Sequence, residues 1–229
     1  MRTRDPLITA SRLDEFIERY EGYLSDLRNY SDALAWWIAR YSKGDLVQEL
    51  APAFRLVVEK VAASDELERS QSDSDRPLFS HERQYAALFR DSVVLLSIAL
   101  CLRASKTLVQ RLLDSSERGD PLLETVAAAA LHESPAIDSP PAFPQFFGEL
   151  YDALDDRGAR SEMVAKYLMH WREERVKDFG FILAHDKIGY WCFEAAGVVV
   201  ALDIDDRAFA DHPHYPRDLV TFARRKVTL

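Results

Sequence analysis

The sequence predicts an all-α fold, a multi-helix bundle of roughly eight to ten helices in two packed halves. Three observations carry this. Apolar residues recur at three- and four-residue spacing along most of the chain. Only 8 of the 229 residues are glycine, while alanine and leucine abound, a balance that favours helix over a turn-rich β architecture. No stretch alternates polar and apolar residues long enough to read as a strand.

The first helix should begin near Ser11 and run as one long element to Lys43-Gly44. Leu13, Ile17, Tyr20, Leu24, Leu27, Leu34, Ile38 and Tyr41 form its apolar seam, and Phe16, Tyr23, Tyr30 and Trp37 widen the stripe. Gly22 weakens it locally. Asp45 and Gln48 have capping-box spacing for a short helical turn. Pro52 should kink or restart that turn, and Phe54 to Ala62 continues it. Ser64 to Pro77 is polar and reads as a loop. Ser80 can cap a helix with an apolar interior from Tyr85 to Leu102, and Ser105 a shorter one through Leu113. Ser115 to Asp120 is the expected boundary, giving domains 1–115 and 116–229.

Asp120-Pro121 places a cap and an N1 proline in the expected order for a helix through Leu131. Glu133 to Pro144 holds four prolines and reads as a loop. Phe146 to Leu154 reads as a helix, Asp155 to Gly158 as a turn, and Ser161 as the cap of a helix ending near Lys177. Phe179 to Ala184 is ambiguous. Ile188 to Leu202 is apolar apart from Glu194 and reads as a central helix capped by Asp186. Glu194 there needs a donor or a raised pKa, and a structural hydrogen bond is the preferred reading. Pro216 can open the last helix.

The net charge is −9. Such a chain is repelled by phosphates, so direct nucleic-acid binding is disfavoured and a basic partner is favoured. No apolar run reaches the roughly 20 residues that span a bilayer, so no membrane role is expected. Cys101 and Cys192 sit in apolar runs and read as buried thiols of a reduced compartment. Met1 to Pro6 is charged, with no apolar run behind it, and a cytoplasmic protein is expected.

Candidate catalytic sets are weak. His185-Asp186 has the doublet of HD-type phosphohydrolases, and His132, His170 and Asp203 could be nominated to complete it. A metal-dependent phosphohydrolase is therefore the alternative reading. His212-Pro213-His214 lacks a carboxylate or thiol set around it. Arg76 and His81 have a helical RNase spacing that Pro77 interrupts. No Walker loop or GxSxG is present. The expectation is a protein that is not an enzyme and carries no cofactor or metal.

The closing segment has a specific order. Gly189-Tyr190-Trp191-Cys192-Phe193-Glu194-Ala195-Ala196 is followed by Ile204-Asp205-Asp206 and by His212-Pro213-His214-Tyr215-Pro216-Arg217-Asp218-Leu219-Val220. This order resembles the C-terminal domain of the PoNi immunity proteins, which protect bacteria against PoNe-type DNase toxins of type VI and related polymorphic toxin systems. The resemblance is strong from Ile188 to Val220, and the N-terminal half fits the family's helical N-terminal domain by pattern. It implies an immunity protein, a nuclease inhibitor or antitoxin, that binds a cognate nuclease toxin. It makes Gly189, Tyr190, Trp191, Phe193, Glu194, Tyr215, Pro216 and Asp218 structural motif residues. A homodimer is compatible with this reading.

Under that implication an acidic cluster should face the toxin's phosphate-binding surface. The first choice is Asp203, Asp205, Asp206 and Asp211, and the second Glu149, Asp152, Asp155 and Asp156. Asp65, Glu66, Glu68, Asp73 and Asp75 form a third set. A solvated face is the common fate of such charge runs.

Overall fold

The computed structural model describes residues 3–5, 8–22, 30–70, 81–172 and 188–225. Among them are ten helices and no strand. They are α1 (Ala10–Glu21), α2 (Tyr30–Lys43), α3 (Val47–Ser70), α4 (His81–Cys101), α5 (Lys106–Asp114), α6 (Pro121–Leu131), α7 (Pro144–Asp155), α8 (Arg160–His170), α9 (Phe193–Ala201) and α10 (Arg217–Arg224). None is long and apolar enough to cross a membrane. Ser80, Asp186 and Phe179 to Ala184 lie outside the described residues, as does the predicted helix end near Lys177.

The described residues form two compact units. One comprises those up to 84 with 188–190, and the other those from 85 onward with 191–225. The division expected from sequence is 1–115 and 116–229. Ser115 to Asp120 is a loop, but α5 and α6 on either side of it pack on each other within the second unit.

In the first unit α1 and α2 are separate helices that pack on each other, not the single long helix expected. Lys43 Nζ lies 2.6 Å from Asp14 Oδ1. In one straight helix those residues would stand roughly 40 Å apart at 1.5 Å rise per residue. α2 is buried on nearly all sides and packs on α3 through Trp37, whose Nε1 donates to the Leu50 carbonyl at 2.9 Å. Asp45 does not act as a cap as predicted; it accepts from Arg40 Nε. α3 passes through Pro52 and extends to Ser70, so Ser64 to Ser70 is helical rather than loop. Glu, Leu and Arg there are good helix formers, and extending a nucleated helix costs little. The buried Asp5 accepts the Tyr190 N–H at 2.9 Å, and Ser42 Oγ donates to the Ile188 carbonyl.

In the second unit α9 is central, with every residue from Phe193 to Val199 buried. It packs on α6, α8 and α10. The helix predicted from Ile188 starts only at Phe193. Gly189 takes φ 111°, a left-handed conformation that suits glycine and cannot continue a helix. The Cys192 N–H is spent on the His214 carbonyl at 2.8 Å. α4 meets α9 where Ser97 lies against Gly197, and a Cβ on Gly197 would sit 3.0 Å from Ser97 Cα.

The start of α6 is a second fixed point. Asp120 Oδ1 accepts from the N–H groups of Leu122 and Leu123 at 2.8 and 3.2 Å. Its Oδ2 accepts from Ala142 N and Tyr151 Oη at 2.9 and 2.7 Å, tying the proline-rich loop and α7 to the same carboxylate. Glu124 accepts from Arg118 and from Gly119 N. Ser105 caps α5 as predicted, accepting from Leu108 N. Ser161 does not cap α8; its Oγ donates to the Asp205 carbonyl at 2.9 Å.

Two outcomes test this packing. Gly197→Ala should cost about 1–3 kcal/mol in urea unfolding through overpacking, and adding Ser97→Gly should recover part of it. A fully stable single variant would show that α4 and α9 do not approach this closely. The hydrogen bonds from Arg118, with help from Gly119 N, hold Glu124 below the ordinary carboxylate value of 4.5. A depressed carboxylate stabilises above its unfolded pKa, and that stability is lost as pH falls from about 4.5 through the folded value. Glu124→Gln should therefore lose less stability than wild type between pH 7 and pH 3. Parallel losses would show the pair contributes nothing.

Candidate functional site

Five helices of the second unit end at one place. The C-terminal turns of α4, α6, α9 and α10 line a surface depression of about 580 Å³. The C-terminal turns of α7 and α9, with one face of α6 from its first residue Pro121 to Glu133 just past its end, line a neighbouring one of about 360 Å³. The two share Ala128, Ala129, Glu133 and Ala201, so they form one groove. Each helix C-terminus carries partial negative charge from unpaired carbonyls. The starts of α5 and α8 follow the ends of α4 and α7 and offset part of it.

Three of these ends are built alike. Ala104 N donates to Ala99 O, Glu133 N to Ala128 O, and Ile204 N to Val199 O, at 2.9, 2.9 and 3.0 Å. This is the six-to-one bond of a Schellman cap, whose turning residue is usually glycine. Here the turning residues are Arg103, His132 and Asp203, at φ 54°, 57° and 50°. They are the only non-glycine residues of positive φ among the described residues. Arg103 also donates from Nε to the Ala223 carbonyl at 3.0 Å and so caps α10. Arg160 Nε does the same for α7, reaching Ala153 O at 3.0 Å. His132 and Asp203 are exposed, and neither side chain has a hydrogen-bond partner among the described residues.

The first two acidic clusters meet at this pole. Asp155 and Leu202 line the same depression, and the bond from Ser161 to the Asp205 carbonyl joins the start of α8 to the turn after α9. Within the merged surface the carboxylates differ. Asp152, Asp155 and Asp203 are exposed and without an ion-pair partner among the described residues. Asp205 is held by Arg207, whose side chain and N–H bring its pKa down to about 2. Asp206 faces inward, accepting from Tyr215 Oη at 2.9 Å and Arg224 at 2.8 Å, with its side chain 15% exposed. Asp211 pairs with Arg217 at 2.6 Å, and Asp156 caps the turn through Gly158 N and Ala159 N. Glu149 is half-buried. Glu66 is exposed on α3, and Asp73, Asp75 and the side chains of Asp65 and Glu68 lie outside the described residues.

Most of the motif residues are buried. Tyr190, Trp191, Phe193, Glu194 and Tyr215 are buried, Pro216 precedes α10, and Asp218 is exposed in its first turn. Glu194 Oε1 accepts from Trp171 Nε1 at 2.6 Å and Tyr167 Oη at 3.1 Å. The His212 and His214 rings pack edge to face with centroids 5.5 Å apart. His212 Nδ1 accepts from His214 N, and burial followed by the neighbouring His214 lowers its pKa. Among the described residues no three His, Cys, Asp or Glu side chains are grouped to hold a metal. His185, Asp186, Arg76 and Pro77 lie outside them, and of His81 only the backbone is described.

The gathering of helix ends left no trace in the sequence, because glycine stands at none of the three Schellman turns. That anomaly gives a prediction. A side chain in the left-handed region costs roughly 1–2 kcal/mol, so His132→Gly and Asp203→Gly should each stabilise the fold by about 1 kcal/mol in urea unfolding. Destabilisation by both would show the turns are not as described.

Residues 118–219 match the family model described as PoNe immunity proteins (PoNi), C-terminal. No curated protein matches the chain. The crystal structure of protein PA2201 from Pseudomonas aeruginosa is similar in fold, with a TM-score of 0.64 at 20% identity over 92% of this chain and 77% of that one. Residues 118–219, which hold part of the groove's lining and all the motif residues from Gly189 to Asp218, are thus similar to the C-terminal domain of the PoNi immunity proteins.

Proposed function

We propose that this protein neutralises a nuclease toxin by laying the acidic pole of its second unit over the toxin's phosphate-binding surface. The family match carries the immunity role. What supports the surface is that Asp152, Asp155 and Asp203, without an ion-pair partner among the described residues, share one pole with the helix C-termini. A nuclease must present a basic cleft to hold phosphates, and that cleft is the complement of this pole. The protein acts as a stoichiometric inhibitor in the cytoplasm and makes no contact with nucleic acid itself.

Co-expression with the protein encoded by the adjacent open reading frame tests this. Asp152→Lys, Asp155→Lys and Asp203→Lys combined should slow association by about tenfold or more, weaken its salt dependence and abolish survival. Asp206 is left intact because its bonds hold the turn. A folded triple variant with unchanged survival and association would remove this surface as the toxin site.

A further inference from the structure

We propose that the groove itself receives one short segment of the toxin, an aliphatic side chain flanked by lysine or arginine. This rests on the reading of the acidic pole as the toxin-facing surface. The apolar side chain lies on the floor of Ala128, Ala129 and Ala201, where small side chains leave room for it. Ile137, 50% exposed, lines the same depression and supplies apolar contact at the lip. The cation lies at the end marked by Asp155 and Asp203, where the carbonyl ends of α7 and α9 add to the negative potential and the Asp120 carboxylate caps the start of α6 at Pro121. The opposite end carries Arg103, with Lys106 3.9 Å from Glu133. The groove is therefore polar along its length, and its occupant has one orientation.

Charge selects this occupant over others. A second copy of the chain brings the same net charge of −9, and an anionic lipid surface is repelled in the same way. The left-handed residues point in the same direction. His132 lines the groove and Asp203 follows Leu202 at its edge, and both keep a side chain where glycine makes the stabler turn. Strain of this kind persists where the side chain serves a purpose.

The test separates the groove from the acidic surface. Association and dissociation rates are measured against a nuclease-inactive form of the protein encoded by the adjacent open reading frame, with melting temperature and sedimentation as controls. Ala129→Phe fills both depressions from a half-buried position. It should raise the dissociation rate about tenfold or more and leave association nearly unchanged. His132→Gly should raise the melting temperature by about 2–4 °C and still speed dissociation. If Ala129→Phe and His132→Gly leave dissociation unchanged while the lysine triple variant slows association, the groove proposal fails and the acidic surface stands. If none of the three changes either rate in folded protein, both readings fail. If Ala129→Phe instead dissolves a dimer of this chain, the groove is an interface between copies and the proposal is overturned.

Discussion

The buried carboxylate of Glu194 is the constraint on which the second unit turns. α9 is apolar on every side, so hydrophobic burial alone gives it no preferred rotation. Glu194 removes that freedom. A carboxylate taken out of water costs several kcal/mol unless donors meet it. The donors are Trp171 and Tyr167 at the end of α8, and they fix which face of α9 looks toward that helix. Its Oε2 has no hydrogen-bond partner among the described residues, so the two bonds to Oε1 carry the compensation. With the rotation set, Gly197 meets Ser97 of α4, and the end of α9 falls where its Schellman turn exposes Asp203. Burial, and then the charge of Glu194, push the Cys192 thiol well above its ordinary value, which leaves it an unreactive core residue.

Local chemistry was legible where one residue fixes one backbone group. Asp120 before Pro121 and Ser105 before α5 cap as their types predict, because a short oxygen reaches orphan N–H groups without help from tertiary structure. Chain reversal was not legible. The seam from Leu13 to Tyr41 keeps helical spacing through the break, since two helices packed side by side need the same apolar stripe as one long helix. Gly22, where α1 ends, was the only local signal. The irregular start of the segment from Ile188 was hidden for another reason: it is as apolar as the helix that follows. Composition reports burial there, while the backbone answers to Gly189 and to the bond between Cys192 and His214.

The candidate site was half legible. Both acidic clusters were visible as charge runs, and the sequence held no sign that they share a surface. Their meeting depends on α7 and α9 ending at the same pole, a property of packing. Nor could the sequence rank the carboxylates. Asp205 and Asp206 are neighbours in a single run, yet one is exposed and paired with Arg207 while the other is turned inward.

That division of labour gives the turn after α9, part of the proposed toxin-facing surface, a rigid frame. Tyr215 is pushed far above the ordinary phenol value, chiefly by burial and then by Asp206, so it keeps its proton and donates. Arg224 fixes the other oxygen of Asp206. Asp206 thus trades its availability to a partner for a rigid turn, and Asp203 and Asp205 are displayed on that turn. Binding costs free energy for every side chain and loop that must be ordered at the interface. A turn already tied to α10 through Asp206 and to α8 through Ser161 has little left to lose, so under the proposed function its charges would act on the toxin at first encounter.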